Sequence, residues 1–148
     1  CFFNYKQQKL VLNPEYGGDG KMTGRCSQYT LPIALYTAHW APLDIMFYSG
    51  QQFPAQYRGG TFIAFHGSWN RAPLPQAGYN VVFQPFENGK PSGKYEIFAD
   101  GFKGKDALMN PSDAVARPDG VAQAPDGSIY ITDSQKGKIW RVFYRGKD

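Results

Sequence analysis

The chain has 148 residues, sufficient for a domain with its own core, and 42% of them are hydrophobic, which excludes a disordered segment. Net charge is +4, but the 16 Lys and Arg are scattered among 12 Asp and Glu, so no dense basic cluster marks a nucleic-acid surface. No apolar run approaches the roughly 18 residues of a membrane span, and 16% aromatic residues with 17 Gly and 11 Pro suit short strands joined by turns better than long helices.

Residues 1–30 are loop-like, with turn formers in succession at Asn13-Pro14-Glu15-Tyr16-Gly17-Gly18-Asp19-Gly20. Cys1 and Cys26 bracket this segment without CxxC spacing, which argues against zinc. They form either a disulfide, stabilising the loop by about 3 kcal/mol and implying an oxidising compartment, or two free thiols. Strand-like runs follow at Ile33–Thr37, Ile45–Tyr48, Thr61–Phe65, Tyr79–Phe86, Tyr95–Ala99, Gly120–Ala124, Ser128–Thr132 and Lys138–Tyr144. Lys105–Met109 reads as a brief helical turn, and no window carries a helical period over three turns.

The runs repeat. Ala41-Pro42 opens a strand, a turn leads to the Gly60-led strand, and a polar loop leads to the Gly78-led strand. The same order recurs from Arg117-Pro118 through Gly127 and Gly137. The first copy adds a fourth strand, Tyr95–Ala99, after the turn Glu87-Asn88-Gly89-Lys90, whereas the second stops after three. A four-stranded repeat of this kind is a propeller blade. The expectation is all-β, a partial β-propeller of about two C-terminal blades plus part of a third. Residues 1–30 are then a loop-rich insertion, 31–100 one blade region, and 101–148 the last blade without its closing strand. The start at Cys1, with no initiator Met, leads to the expectation of a piece of a longer protein whose remaining N-terminal blades complete the ring. A small complete β-sandwich is the alternative, and it leaves the repeat unexplained.

Propeller ligands sit where loops gather at the mouth of the central channel. The repeat places His39, Trp40, Arg117 and the loops His66–Arg71 and Asp133–Lys136 there. His39 is suited to a reversible proton role, and Trp40 to stacking on a flat ligand; the bland reading is a satisfied core pair. His66, Trp69, Asn70 and Arg71 together suit a planar, polar, anionic ring, since Arg forks onto carboxylates, Asn both donates and accepts, and an indole offers a flat face. They are otherwise a rim loop knitted by its own hydrogen bonds. Pro118 restricts Arg117 to an extended backbone that could aim its guanidinium down the channel; otherwise it is a surface Arg. Asp126-Gly127 is a tight-turn pair, and Asp133, at a strand end, either caps a turn, the favoured reading, or binds metal. With two histidines and two cysteines, a protein-built zinc or copper centre is not expected, and no nucleophile elbow or phosphate loop occurs. Redox chemistry therefore needs a bound organic cofactor.

The run His39-Trp40-Ala41-Pro42-Leu43 and then Phe47-Tyr48-Ser49-Gly50, Phe53-Pro54, Tyr57-Arg58-Gly59-Gly60 and His66-Gly67-Ser68-Trp69-Asn70-Arg71 resembles the sorbosone dehydrogenase family, grouped with soluble quinoprotein glucose and pyranose dehydrogenases. Gly78-Tyr79-Asn80-Val81-Val82, Arg117-Pro118 and Ile139-Trp140-Arg141-Val142 fit it as well. The resemblance implies a six-bladed propeller that binds pyrroloquinoline quinone (PQQ), usually with calcium, and oxidises a sugar or sugar aldehyde, passing electrons to an acceptor such as a cytochrome or quinone. It implies that hydride passes to the quinone while a histidine takes the hydroxyl proton. Arg117 would hold the cofactor's carboxylates, His66, Trp69 and Arg71 would neighbour it, and His39 matches the family's histidine before Ala-Pro-Leu. The main catalytic histidine and most calcium contacts would come from the missing blades. Trp40 to Asp44 departs from the Ser or Thr and Gly of many members. The resemblance also fits a Cys1–Cys26 disulfide and a periplasmic or secreted location. A non-catalytic propeller binding carbohydrate or protein is the rival reading.

Overall fold

The computed structural model describes residues 1–146. The chain falls into two compact units, Cys1–Leu35 and the chain from Tyr36 onward. In the first, β1 (Phe2–Asn4) and β2 (Lys9–Val11) form an antiparallel hairpin with Phe3 opposite Leu10. The Asn4 side-chain oxygen accepts from the N–H groups of Lys6 and Gln7, both at 3.1 Å, and so shapes the hairpin's turn. Asn13 caps the 3₁₀ turn Pro14–Tyr16 by accepting from the Glu15 N–H at 3.0 Å, with Pro14 at the position where a missing N–H costs nothing. A second 3₁₀ turn, Gly24–Gln28, carries Cys26, which is bonded to Cys1, so the choice between disulfide and free thiols falls to the disulfide.

The second unit holds two meandering antiparallel sheets. The first contains β3 (Pro42–Phe47), β4 (Thr61–Phe65) and β5 (Asn80–Gln84), in that order. A small hairpin follows, β6 (Phe86–Glu87) and β7 (Lys90–Pro91), before β8 (Glu96–Ala99) completes the first sheet beside β5. The second sheet contains β9 (Pro118–Gln123), β10 (Ile129–Asp133) and β11 (Ile139–Val142). Each strand neighbours the next long strand in sequence, which is how a blade is wound; a Greek-key sandwich would cross over.

The β4 sequence TFIAF is buried on both faces, so it reads as a continuous apolar run. Phe62 and Ala64 join Val81 and Phe83 of β5 in a core shared with Val121, Ile129 and Ile131 of the second sheet. Ile63, Phe65 and Val82 point the other way, against Tyr36, Trp40 and Tyr95. Phe62 is fully buried and meets Phe98 edge-on at 4.6 Å. Burial of one such ring stabilises the fold by about 2–3 kcal/mol. Polar ties register the two sheets. Asp44 Oδ2 accepts from the Val121 N–H at 2.9 Å, and the Tyr48 hydroxyl donates to the Gly127 carbonyl at 2.7 Å. The first strands of the two sheets, β3 and β9, thus lie against each other, as inner strands of adjoining blades do.

Two predicted elements are absent. Ile33–Thr37 forms no strand: Pro32 removes one donor ahead of it, no neighbouring strand pairs with it, and Ile33 is left 72% exposed. Strand propensity without a cross-strand partner does not make a strand. Lys105–Met109 forms bends rather than a helical turn, because Gly104 closes a turn onto the Gly101 carbonyl at positive φ and Pro111 ends the available length. The predicted strand Tyr79–Phe86 divides at Pro85, and Tyr79 itself lies outside β5. The last two residues of the 101–148 segment lie outside the described ones.

Candidate functional site

The ends of β4 and β9 meet at one place. Past Phe65 the chain leaves β4 as His66-Gly67-Ser68, and its backbone stays tied to the approach to β3. The His66 N–H donates to the Ala41 carbonyl and the Gly67 N–H to the Trp40 carbonyl, each at 2.9 Å. Arg117, just before β9, reaches across. Its Nε donates to the His66 carbonyl at 3.2 Å and one terminal nitrogen to the Gly67 carbonyl at 2.8 Å. The guanidinium lies over the Tyr79 ring, 5.4 Å from its centroid. A guanidinium carries five N–H donors, so three of Arg117's have no partner among the described residues.

Asp133, at the end of β10, fixes the Arg117 backbone from the other side. Its carboxylate is buried and accepts from the N–H groups of Arg117 (2.7 Å), Gln135 (3.0 Å) and Lys136 (2.8 Å). Burial pushes its pKa up, but these backbone donors together outweigh that and hold it below the ordinary value. It therefore caps a turn, as the sequence suggested.

His66 is half-buried, and its Nε2 lies 2.8 Å from the Ser134 hydroxyl. Partial burial, and then the Arg117 charge, pull the imidazole pKa below 6.5, with Asp119 and Asp133 opposing. The ring is neutral at neutral pH. The site thus joins a cation held by backbone to an uncharged imidazole, with carboxylates set behind them.

Other sequence-predicted residues are placed differently. His39 sits at positive φ (67°) with an exposed side chain and no hydrogen-bond partner for its ring among the described residues. Trp40 packs edge-on against Phe65 and Tyr95, at 5.4 and 6.1 Å, while its buried Nε1 has no hydrogen-bond partner among the described residues. Trp69 and Asn70 are exposed, Trp69 at 69%. Arg71 turns back on its own loop, donating to the Pro75 carbonyl at 3.0 Å. The residues brought together are His66 and Arg117, joined by Ser134, Asp133 and Tyr79. Tyr79 lies in the run Gly78-Tyr79-Asn80-Val81-Val82 that resembles the family, but nothing there marks it as a site residue, and Ser134 was legible only through the loop that contains it. No group of three His, Cys, Asp or Glu side chains that could hold a metal occurs among the described residues. The first unit separately contains a cavity of about 360 Å³ lined by Cys1, Asn13, Tyr16 and Arg25 among others, and none of the predicted cofactor residues lines it.

Sheets wound as meanders, with inner strands side by side and polar groups at their shared ends, define part of a β-propeller. The TrAA12-like family model matches residues 7–145, and the chain belongs to that family. The PQQ-dependent pyranose dehydrogenase of Coprinopsis cinerea is 26% identical over 164 aligned residues, covering 96% of this chain and 22% of that protein. The calcium structure of a Trichoderma reesei protein of Carbohydrate-Active Enzymes Family AA12 is similar with a TM-score of 0.56 at 25% identity, over 82% of this chain and 29% of that one. The holo PQQ domain of the Coprinopsis cinerea pyranose dehydrogenase gives a TM-score of 0.55 at 22% identity, over 83% and 32%, a likeness of fold. The chain spans between about a fifth and a third of the length of these relatives. The family is thus one related to PQQ-dependent sugar dehydrogenases, and nothing in these likenesses singles out sorbosone.

Proposed function

We propose that the full-length protein is an oxidoreductase that oxidises a sugar, either a pyranose or a sugar aldehyde of the sorbosone type, using PQQ, and that this chain supplies part of the cofactor site. The observation that carries the reading is Arg117. Its guanidinium is fixed by two backbone carbonyls while three donors stay available beside a neutral histidine. That donor set fits a planar ligand bearing carboxylates. The buried Trp40 Nε1 and Asn80 Oδ1, without hydrogen-bond partners among the described residues, stand at the neighbouring sheet end, where Asn80 pairs with Phe65, and are compatible with a further polar group there.

When bound, PQQ supplies the acceptor for the hydride that leaves the substrate C–H bond. Arg117 holds a cofactor carboxylate. His66 stays neutral, and in the tautomer whose Nε2–H donates to the Ser134 hydroxyl it offers its Nδ1 lone pair to a ligand proton. Exposed Trp69 gives a flat apolar face to a sugar ring, with Asn70 and Arg71 on the same loop. His39 stands as a second proton acceptor at the approach to β3. Calcium, an electron acceptor such as a cytochrome or quinone, the remaining blades of the same protein and a periplasmic or secreted location complete the proposal. The disulfide of Cys1 and Cys26 supports that location, since such bonds persist in oxidising compartments.

The test is to add PQQ and calcium to the full-length apoprotein and follow sugar-dependent reduction of a dye. The proposal expects turnover that Arg117→Ala lowers at least tenfold. Sugar binding with no dye reduction under any cofactor loading would favour a non-catalytic propeller instead.

A further inference from the structure

Tyr79 has no assigned role, yet it stands where the loop and the arginine meet. It is fully buried, and its φ of 59° is rare for an aromatic residue; it follows Gly78 at 89°. Left-handed backbone at a residue with a Cβ is kept only where the surroundings over-determine it. Here they do. The Tyr79 hydroxyl donates to the Ser68 carbonyl at 2.6 Å while its ring lies under the Arg117 guanidinium. Arg117 itself holds the carbonyls of His66 and Gly67. Three consecutive carbonyls, at 66, 67 and 68, are therefore gripped by two side chains that touch each other. Gly67 makes this possible: at φ 91°, a Cβ added there would come within 2.4 Å of the Tyr79 ring.

We infer that Tyr79, seated against Gly67, is a positioning residue that sets the pose from which Arg117 offers its free donors to an anionic ligand. This rests on the functional reading above. Without the hydroxyl, the buried Ser68 carbonyl loses its donor and the loop loosens; the arginine then samples poses in which it releases one of its own carbonyls. Asp133 still fixes the Arg117 backbone, so the loss is one of aim rather than of fold.

The experiment uses the full-length protein, Tyr79→Phe, and the control Ile129→Val, a buried substitution at the other end of β10 from Asp133 that leaves every hydrogen bond of the loop and of Arg117 in place. Two readouts are taken: amide hydrogen exchange at Gly67 and Ser68, whose N–H groups donate to Trp40 and Ala77, and PQQ affinity by quenching of tryptophan fluorescence. Tyr79→Phe should speed exchange at both amides about tenfold and weaken PQQ binding about tenfold, while Ile129→Val changes neither. Wild-type exchange in Tyr79→Phe overturns the clamp, and faster exchange with unchanged PQQ affinity overturns its positioning role. If the wild-type protein takes up no PQQ, the functional reading falls with the positioning role, and the exchange result alone then decides the clamp.

Discussion

Replacing Gly67 by Ala separates two costs that usually arrive together. A Cβ at φ 91° carries the left-handed penalty of about 1–2 kcal/mol. It also drives an atom to 2.4 Å from the Tyr79 ring, which is buried and cannot swing away, and overpacking of this kind adds about 1–3 kcal/mol. Gly59 supplies the control, because its φ is 71° but nothing lies within 4 Å of an added Cβ. Gly59→Ala should therefore cost about 1–2 kcal/mol and Gly67→Ala about 2–5 kcal/mol, each from the urea midpoint at unchanged slope. In a Tyr79→Leu background the excess should shrink, giving a coupling energy of about 1–3 kcal/mol in the double-mutant cycle. Equal costs at the two glycines, or no coupling, would refute the close approach of ring and backbone on which the site's geometry depends.

The His66 imidazole should titrate by NMR with a midpoint below 6.5, moving up in Arg117→Gln and further down in Asp119→Asn, since the first charge lowers it and the second raises it. Because its folded value is depressed, the unfolded chain binds more protons between that value and 6.5; stability rises with pH through this window and is lost as pH falls. A midpoint at or above 6.5 would contradict the described surroundings. Asp126 should remain ionised down to about pH 2 through its hydrogen bonds from Ser128, with Arg141 contributing less, so Arg141→Gln should move its carboxyl titration only part of the way to 3.8. A full return would reverse that order of causes. Reducing the Cys1–Cys26 bond should destabilise the first unit by about 3 kcal/mol, from a loop of 25 residues of separation, read as lost exchange protection at the Leu12 amide that donates to Met22. Unchanged protection there would show that the hairpin and 3₁₀ turns hold without the crosslink.

The blade pattern was legible because a Pro-led strand, a turn and Gly-led strands recur in the same order in two segments. Thr61–Phe65 and Asn80–Gln84 read as strands for the reason they are buried: both faces are covered, so neither needs a polar alternation. Ile33–Thr37 misled because the same residue types occur where no partner strand is available. At the site, repeat alignment put the His66 loop and Arg117 at one mouth, together with His39, Trp40 and the Asp133–Lys136 loop, without saying which of them would touch. What lay beyond reach was which atoms Arg117 would use: it grips the His66 and Gly67 carbonyls and lies over Tyr79, whose backbone is left-handed, and spacing encodes none of these contacts. The inward packing of Trp40 was likewise settled by the rings of Phe65 and Tyr95, which lie 25 and 55 positions away in the sequence.

The claim that the joined ends of β4 and β9 receive a flat anionic redox cofactor is tested most directly by a crystal structure of the full-length protein grown with PQQ. A quinone carboxylate is expected within hydrogen-bond distance of the Arg117 guanidinium, with the His66 and Gly67 carbonyls still held by it. PQQ bound elsewhere with Arg117 untouched, or Arg117 turned out to solvent, would contradict it.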